Sequence, residues 1–183
     1  MRELSLHLLD IAENSIAAQA ITVEIAIRED NRKDRLYLSV CDDGKGMDYE
    51  MAAQVIDPFV TTRTTRKVGL GIPLLKAASE ACNGFLEIHS TPGIGTRLEV
   101  EFQNSHIDRM PLGDIASTIL HLVIANPQIH FIFRHQVDEN EFFFDDEPIK
   151  RELADIPLSD PLVISYLRDE IEAGIETFQP AMA

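Results

Sequence analysis

The hydrophobic period changes within the first thirty residues, and this constrains the fold more than any other feature. Residues 3–18 set Leu4, Leu8, Ile11, Ser15 and Ala18 at helical spacing, with Leu9, Ala12 and Ile16 broadening the stripe. The next run alternates: Val23, Ile25 and Ile27 interleave with Glu24, Ala26 and Arg28, the pattern of a half-buried strand. After the polar turn "EDNRKDR", "LYLSVCDD" reads as a second strand, ended by the glycines of "DDGKGM". Residues 48–56 read as a short helix, and the stretch to about Val68 has no period and reads as a long loop. "LGIPLLKAASEACNG" predicts a helix with Pro73 in its first turn and Gly84 as its stop. "FLEIHS" and "TRLEVEF" then form two strands joined by the hairpin signal "TPGIG". Paired strands with helices set apart predict an α+β sandwich, helices on one face of a mixed sheet.

Charge divides the chain. Residues 1–105 hold 11 basic and 16 acidic side chains; residues 106–183 hold 5 and 15. The shift predicts two units, 1–105 and 106–183, with a boundary near Gln103 to Asp114. The second unit is a small α+β one: "GDIASTILHLVIAN" reads as a helix, "QIHFIFRHQ" and "EFFFDD" as a hairpin, and residues 147–154 and 159–176 as helices broken by Pro157 and Pro161. The three consecutive phenylalanines Phe142 to Phe144 cannot all face one core on a strand, so aromatic surface is expected to meet a partner or a second copy, unless both flanking helices bury the hairpin. A net charge of −15 disfavours nucleic acid and anionic membranes as partners. No run approaches the ~20 apolar residues of a membrane span, and the N-terminus shows no signal-peptide pattern. A cytoplasmic location is expected. Cys41 and Cys82 read as buried structural thiols.

Four short stretches could carry chemistry. In "DDGKGM", Gly44 and Gly46 let backbone approach a flat ligand closely, and a strand-end carboxylate can accept from an exocyclic amine; a plain strand-ending turn reads the same way. In "DIAENS", Asp10 and Asn14 are one turn apart on one helix face, where oxygen donors can hold a magnesium ion or a water. "TTRTTRKVGLGI" is a basic stretch in an acidic chain. Its Gly69 and Gly71 enter a helix, whose N-terminus favours anions. No Gly-Lys-Ser/Thr follows, so it is not a Walker A loop. "PGIGT" alone is only a hairpin turn. The histidines show no paired metal-ligand spacing, and no zinc site is assigned.

In this order the four stretches resemble the GHKL superfamily of gyrase, Hsp90, histidine kinase and MutL ATPases, which share the Bergerat ATP-binding fold. The N box matches at Asn14, the Asp-x-Gly-x-Gly box at Asp42, Gly44 and Gly46, the lid end at Gly69-Leu70-Gly71, and the late Gly-Thr at Gly95-Thr96. The resemblance spans about residues 2–104. It implies that Asn14 coordinates Mg²⁺ and that Asp42 accepts from adenine. Gly44 and Gly46 would admit the nucleotide, with Met47 walling the base. Gly69, Leu70 and Gly71 would close on the phosphates, with Arg66 and Lys67 nearby, and Thr96 would support the adenine pocket. Two departures stand out. Lys67 replaces the first glycine of the fuller kinase pattern, and Asp10 stands where ATPase branches carry a Glu base, which makes it a candidate general base. ATP and Mg²⁺ are the implied ligands. A phosphoacceptor hairpin upstream of the N box is not in the chain, so the leading expectation is γ-phosphoryl transfer in trans to a partner protein. A MutL-like ATPase gating dimerisation and a nucleotide-sensing module without turnover stay open. A protein partner or a homodimer contact is expected on residues 106–183.

Overall fold

Six strands form one sheet in the order β3-β4-β2-β1-β5-β6. The computed structural model describes residues 3–56 and 71–177. Helix α1 (Leu4–Ala17) is followed by the antiparallel hairpin β1 (Thr22–Asp30) and β2 (Arg35–Asp42). Helices α2 (Tyr49–Ile56) and α3 (Gly71–Ala81) lead to the second hairpin, β3 (Phe85–Thr91) and β4 (Gly95–Gln103). Then come α4 (Ile115–Ala125), the hairpin β5 (His130–Val137) and β6 (Asn140–Asp145), and helices α5 (Asp146–Leu153) and α6 (Pro161–Glu176).

The period-two alternation selects one covered face. Val23, Ile25 and Ile27 of β1 are buried, as are Leu36, Leu38 and Val40 of β2 and Leu98, Val100 and Phe102 of β4. The register aligns them: Ile25 stands opposite Val40, and Val40 opposite Leu98. Against this face lie Leu4, Leu8 and Ile11 of α1 and Leu75 of α3. Burying a side chain of this kind contributes about 1.5–3 kcal/mol.

Residues beyond 105 extend the same sheet. β5 pairs with β1 in parallel, placing Phe133 beside Ile25. Helix α1 depends on this later segment too: the Leu4 and Ser5 N–H groups donate to the Pro111 and Leu112 carbonyls at 3.0 and 2.8 Å. Those donors have no partner within their own helix, so residues 111–112 do the work of a cap. Asp114 caps α4 by accepting from Ser117 N–H, and Asp160 caps α6 by accepting from Leu162 N–H.

Pro161 is read in the sequence as a breaker, but it begins α6, because the first helical position needs no N–H donor. Cys82 is buried, whereas Cys41 is half-buried on the uncovered face, one residue out of step with Val40. The three phenylalanines split as alternation requires. Phe144 is buried, Phe142 packs at the core margin, and Phe143 is exposed under the Arg134 guanidinium at 4.6 Å.

Candidate nucleotide site

Asp42 ends β2 between two strands, opposite Val23 of β1 and Thr96 of β4. Its Oδ2 accepts from Ser15 Oγ at 2.6 Å, and its Oδ1 from the N–H groups of Gly44 at 3.0 Å and Thr96 at 3.3 Å. A carboxylate offers about four acceptor positions, so three donors fix its orientation and leave about one acceptor position open. The neighbouring Asp43 has another task. Its Oδ1 takes the N–H groups of Ile21 and Thr22 at 2.7 and 2.8 Å, closing the entry to β1. Burial pushes the Asp43 carboxyl up, but the Thr22 and Ile21 donors outweigh it and hold the group below its usual range.

The glycines around Asp42 are required by contact. A Cβ on Gly46, whose φ is +62°, would stand 2.0 Å from the Thr91 carbonyl oxygen. A Cβ on Gly95, with φ +138°, would stand 1.9 Å from the Asp42 carbonyl oxygen. The loop is strapped at both sides: Lys45 N–H donates to Ala18 O at 2.9 Å, and Gly93 N–H donates to Lys45 O at 2.8 Å. Ser90 links the rest. Its Oγ receives Met47 N–H at 2.8 Å, lies 2.8 Å from Thr96 Oγ1 and donates to Gly95 O at 3.1 Å.

The structure therefore gathers Asp42, Gly44, Gly46, Met47 and Thr96 at one end of the sheet, beside the C-terminal half of α1. Asp10 and Asn14 are both half-buried on that helix, one turn apart. Gly71 opens α3. Arg66, Lys67, Gly69 and Leu70 lie outside the described residues. His7, one turn before Asp10, is 2 % exposed, and burial holds its imidazole below the usual histidine pKa.

Sequence reasoning missed Ser15 and Ser90, which orient Asp42, Met47 and Thr96. Ser15 did carry a signal, a hydroxyl placed in the apolar stripe of α1; Ser90 carried none. Among the described residues, one group of histidine and carboxylates brings ligand atoms within 4.8 Å: His130, Asp145 and Asp146. There Lys150 Nζ already stands 2.7 Å from Asp146, and His130 Nε2 lies 2.8 Å from Asp145, so the group is an ion-pair cluster.

A one-side-covered mixed sheet, with a fixed strand-end aspartate, tight glycine loops and a flanking polar helix, defines an α+β sandwich of the Bergerat class. The chain belongs to the family of histidine kinase-, DNA gyrase B- and HSP90-like ATPases, whose sequence model matches residues 2–106. It is 34% identical to the "Non-motile and phage-resistance protein" of Caulobacter vibrioides, over 56% of this chain and 13% of that protein. It is 40% identical to the "Sensor protein kinase FleS" of Pseudomonas aeruginosa, over 48% of this chain and 22% of that kinase. The chain thus spans less than a quarter of the length of these two relatives. The ATPase domain of Aquifex aeolicus MutL, solved with ADP, superimposes with a TM-score of 0.51 at 16% identity, over 94% of this chain and 70% of that one. Among the described residues no helix is long and apolar enough to cross a membrane.

Proposed function

We propose that the chain binds Mg·ATP at this end of the sheet and transfers the γ-phosphoryl group in trans to a partner protein. The observation that carries the reading is Asp42. Its carboxylate is held by Ser15, Gly44 and Thr96, with an acceptor position left for the amino group of adenine. The likeness to sensor kinases over the matched half of the chain supports kinase-like chemistry.

The residues present fit a magnesium ion, since Asn14 offers a carbonyl oxygen, a donor that a hard cation takes. When bound, such an ion neutralises phosphate charge. Asn14 would hold it. Asp42 would orient the base, and Met47, fixed by its N–H bond to Ser90, would lie along the base's side. Thr96 would support the pocket through the Ser90–Thr96 hydroxyl pair. The basic lid, Arg66 and Lys67 with Gly69 to Gly71, would meet the phosphates. Transfer breaks the bond between the γ-phosphorus and the bridging β–γ oxygen, leaves ADP, and forms a bond from γ-phosphorus to an oxygen or nitrogen of the partner. Asp10 would accept the proton of that attacking group. Residues 106–183 would supply the partner or dimer contact.

A second reading is a MutL-like ATPase that gates dimerisation. It is favoured by the fold likeness to a MutL ATPase domain, which extends through residues beyond 105, and by the carboxylate of Asp10 four residues before Asn14. Purified protein with γ-labelled ATP, with and without cell extract, separates the readings. Label on another protein supports trans transfer; free phosphate alone supports the ATPase. Calorimetry showing no Mg·ATP binding to folded protein would overturn both.

A further inference from the structure

The opposite end of the molecule holds a cavity of about 560 Å³. Glu29 in its wall stands six residues along β1 from Val23, the partner of Asp42, which puts it roughly 20 Å from the nucleotide site. Leu112, Ile115, Val137 and Ile175 give it an apolar lining. Its charged walls are Asp114, Glu172, Glu176 and Glu29, and among the described residues no lysine or arginine lines it. The His135 imidazole in its wall has its Nε2 held 3.1 Å from Glu29.

Two of these carboxylates stand where the fold does not favour them. Glu172 and Glu176 are one turn apart in the last turns of α6. Like charges at that spacing repel, and the negative end of the helix dipole disfavours acids. Neither has an ion-pair partner among the described residues. Asp114 has a structural role as the cap of α4, and Glu29 pairs with His135, but among the described residues no hydrogen bond or ion pair accounts for the two glutamates.

We propose that this groove docks a basic, partly apolar segment of a partner protein. Lysine and arginine suit it, since each joins an apolar stem to a charged head. The stems would cover Leu112 and Ile175 while the heads neutralise Glu172 and Glu176. Charge selects this occupant over a second copy: the chain carries net −15, so another copy would bring mostly like charge. The proposal does not depend on the fate of ATP at the other end.

The test uses the full chain and a fluorescein-labelled heptapeptide, Lys-Leu-Lys-Leu-Arg-Lys-Leu, followed by anisotropy at low salt. The double variant Glu172→Gln/Glu176→Gln relieves repulsion within α6 and is expected to fold. It should weaken peptide binding about tenfold, while the charge-matched control Glu139→Gln/Glu152→Gln changes it less than about twofold. Methyl resonances of Ile115, Val137 and Ile175 should shift on titration. Equal loss in both variants, methyl shifts elsewhere, or no binding by the wild type overturns the proposal. So does light scattering that shows a dimer which Glu172→Gln/Glu176→Gln dissociates, since the groove would then serve self-association. The rise in melting temperature with Mg·ATP should be the same in wild type and double variant, which separates failure here from failure at the nucleotide site.

Discussion

At the residue scale, the proposed recognition of the base rests on one carboxylate and its three donors. Asp42→Asn keeps the shape but turns one oxygen into an NH₂ group. That group would face either Ser15 or the Gly44 and Thr96 donors, and one acceptor is lost. ATP affinity should fall about 100-fold by calorimetry, the scale of an unpaired buried polar group. Ser15→Ala leaves the carboxylate in place but less well oriented, so a smaller loss, about fivefold, is expected, with about 1–2 kcal/mol lost in urea unfolding. His7 makes the pH prediction. Burial lowers its pKa from 6.5 in the fold, so the unfolded chain binds the proton more readily. The stability from neutral His7 is complete above about pH 6.5 and is lost as pH falls below it. Urea midpoints between pH 5 and 8 should therefore decline on the acid side, less steeply in His7→Gln. Identical slopes in the two proteins would remove His7 from the account.

At the element scale, packing against other elements sets which positions tolerate change. Gly46 and Gly95 bring the DDGKGM loop, β2 and β3–β4 into near contact through backbone alone. Helix α5 shows the same dependence through charge. Asp146 begins it fully buried, accepts Phe131 N–H at 3.0 Å and pairs with Lys150 at 2.7 Å. Lys150→Met would leave that carboxylate buried without its cation. We expect a loss of about 3–5 kcal/mol in chemical denaturation, partly restored by a second change, Asp146→Asn. A double variant no more stable than Lys150→Met would mean that the lost packing of the lysine stem, not the stranded charge, causes the loss. The elements themselves were legible in sequence, because alternation in β1 and β2 and helical spacing in α1 are local signals. The Asp-x-Gly-x-Gly and Gly-Thr stretches, read as one constellation, do meet at one end of the sheet. Ser15 and Ser90 were not legible as its supports. Their bonds join residues 27 and 43 positions apart, and no local period encodes a contact of that range. The order of the strands was hidden for the same reason: nothing in "QIHFIFRHQ" shows that it lies parallel to β1.

At the scale of the whole molecule, that parallel seam ties the acidic segment to the candidate nucleotide site. β1 lies between β2 and β5, and Ile25 is flanked by Val40 on one side and Phe133 on the other. The first turn of α1, the helix that carries Asp10 and Asn14, is closed by carbonyls from residues 111 and 112. A chain cut after residue 105 would lose both supports. It would expose the N–H and C=O groups of β1 as an open edge, a template for pairing with other chains. A difference in role between residues 1–105 and 106–183 thus does not require independent folding. Calorimetry of the full chain should give one transition, with the van't Hoff enthalpy matching the calorimetric one. Mg·ATP should shift that whole transition upward, by the mass action of a ligand that binds only the folded form. Residues 1–105 alone should aggregate or bind ATP far more weakly than the full chain. Two separate transitions, with only one moved by nucleotide, would show instead that the sheet extension folds apart from the site it borders.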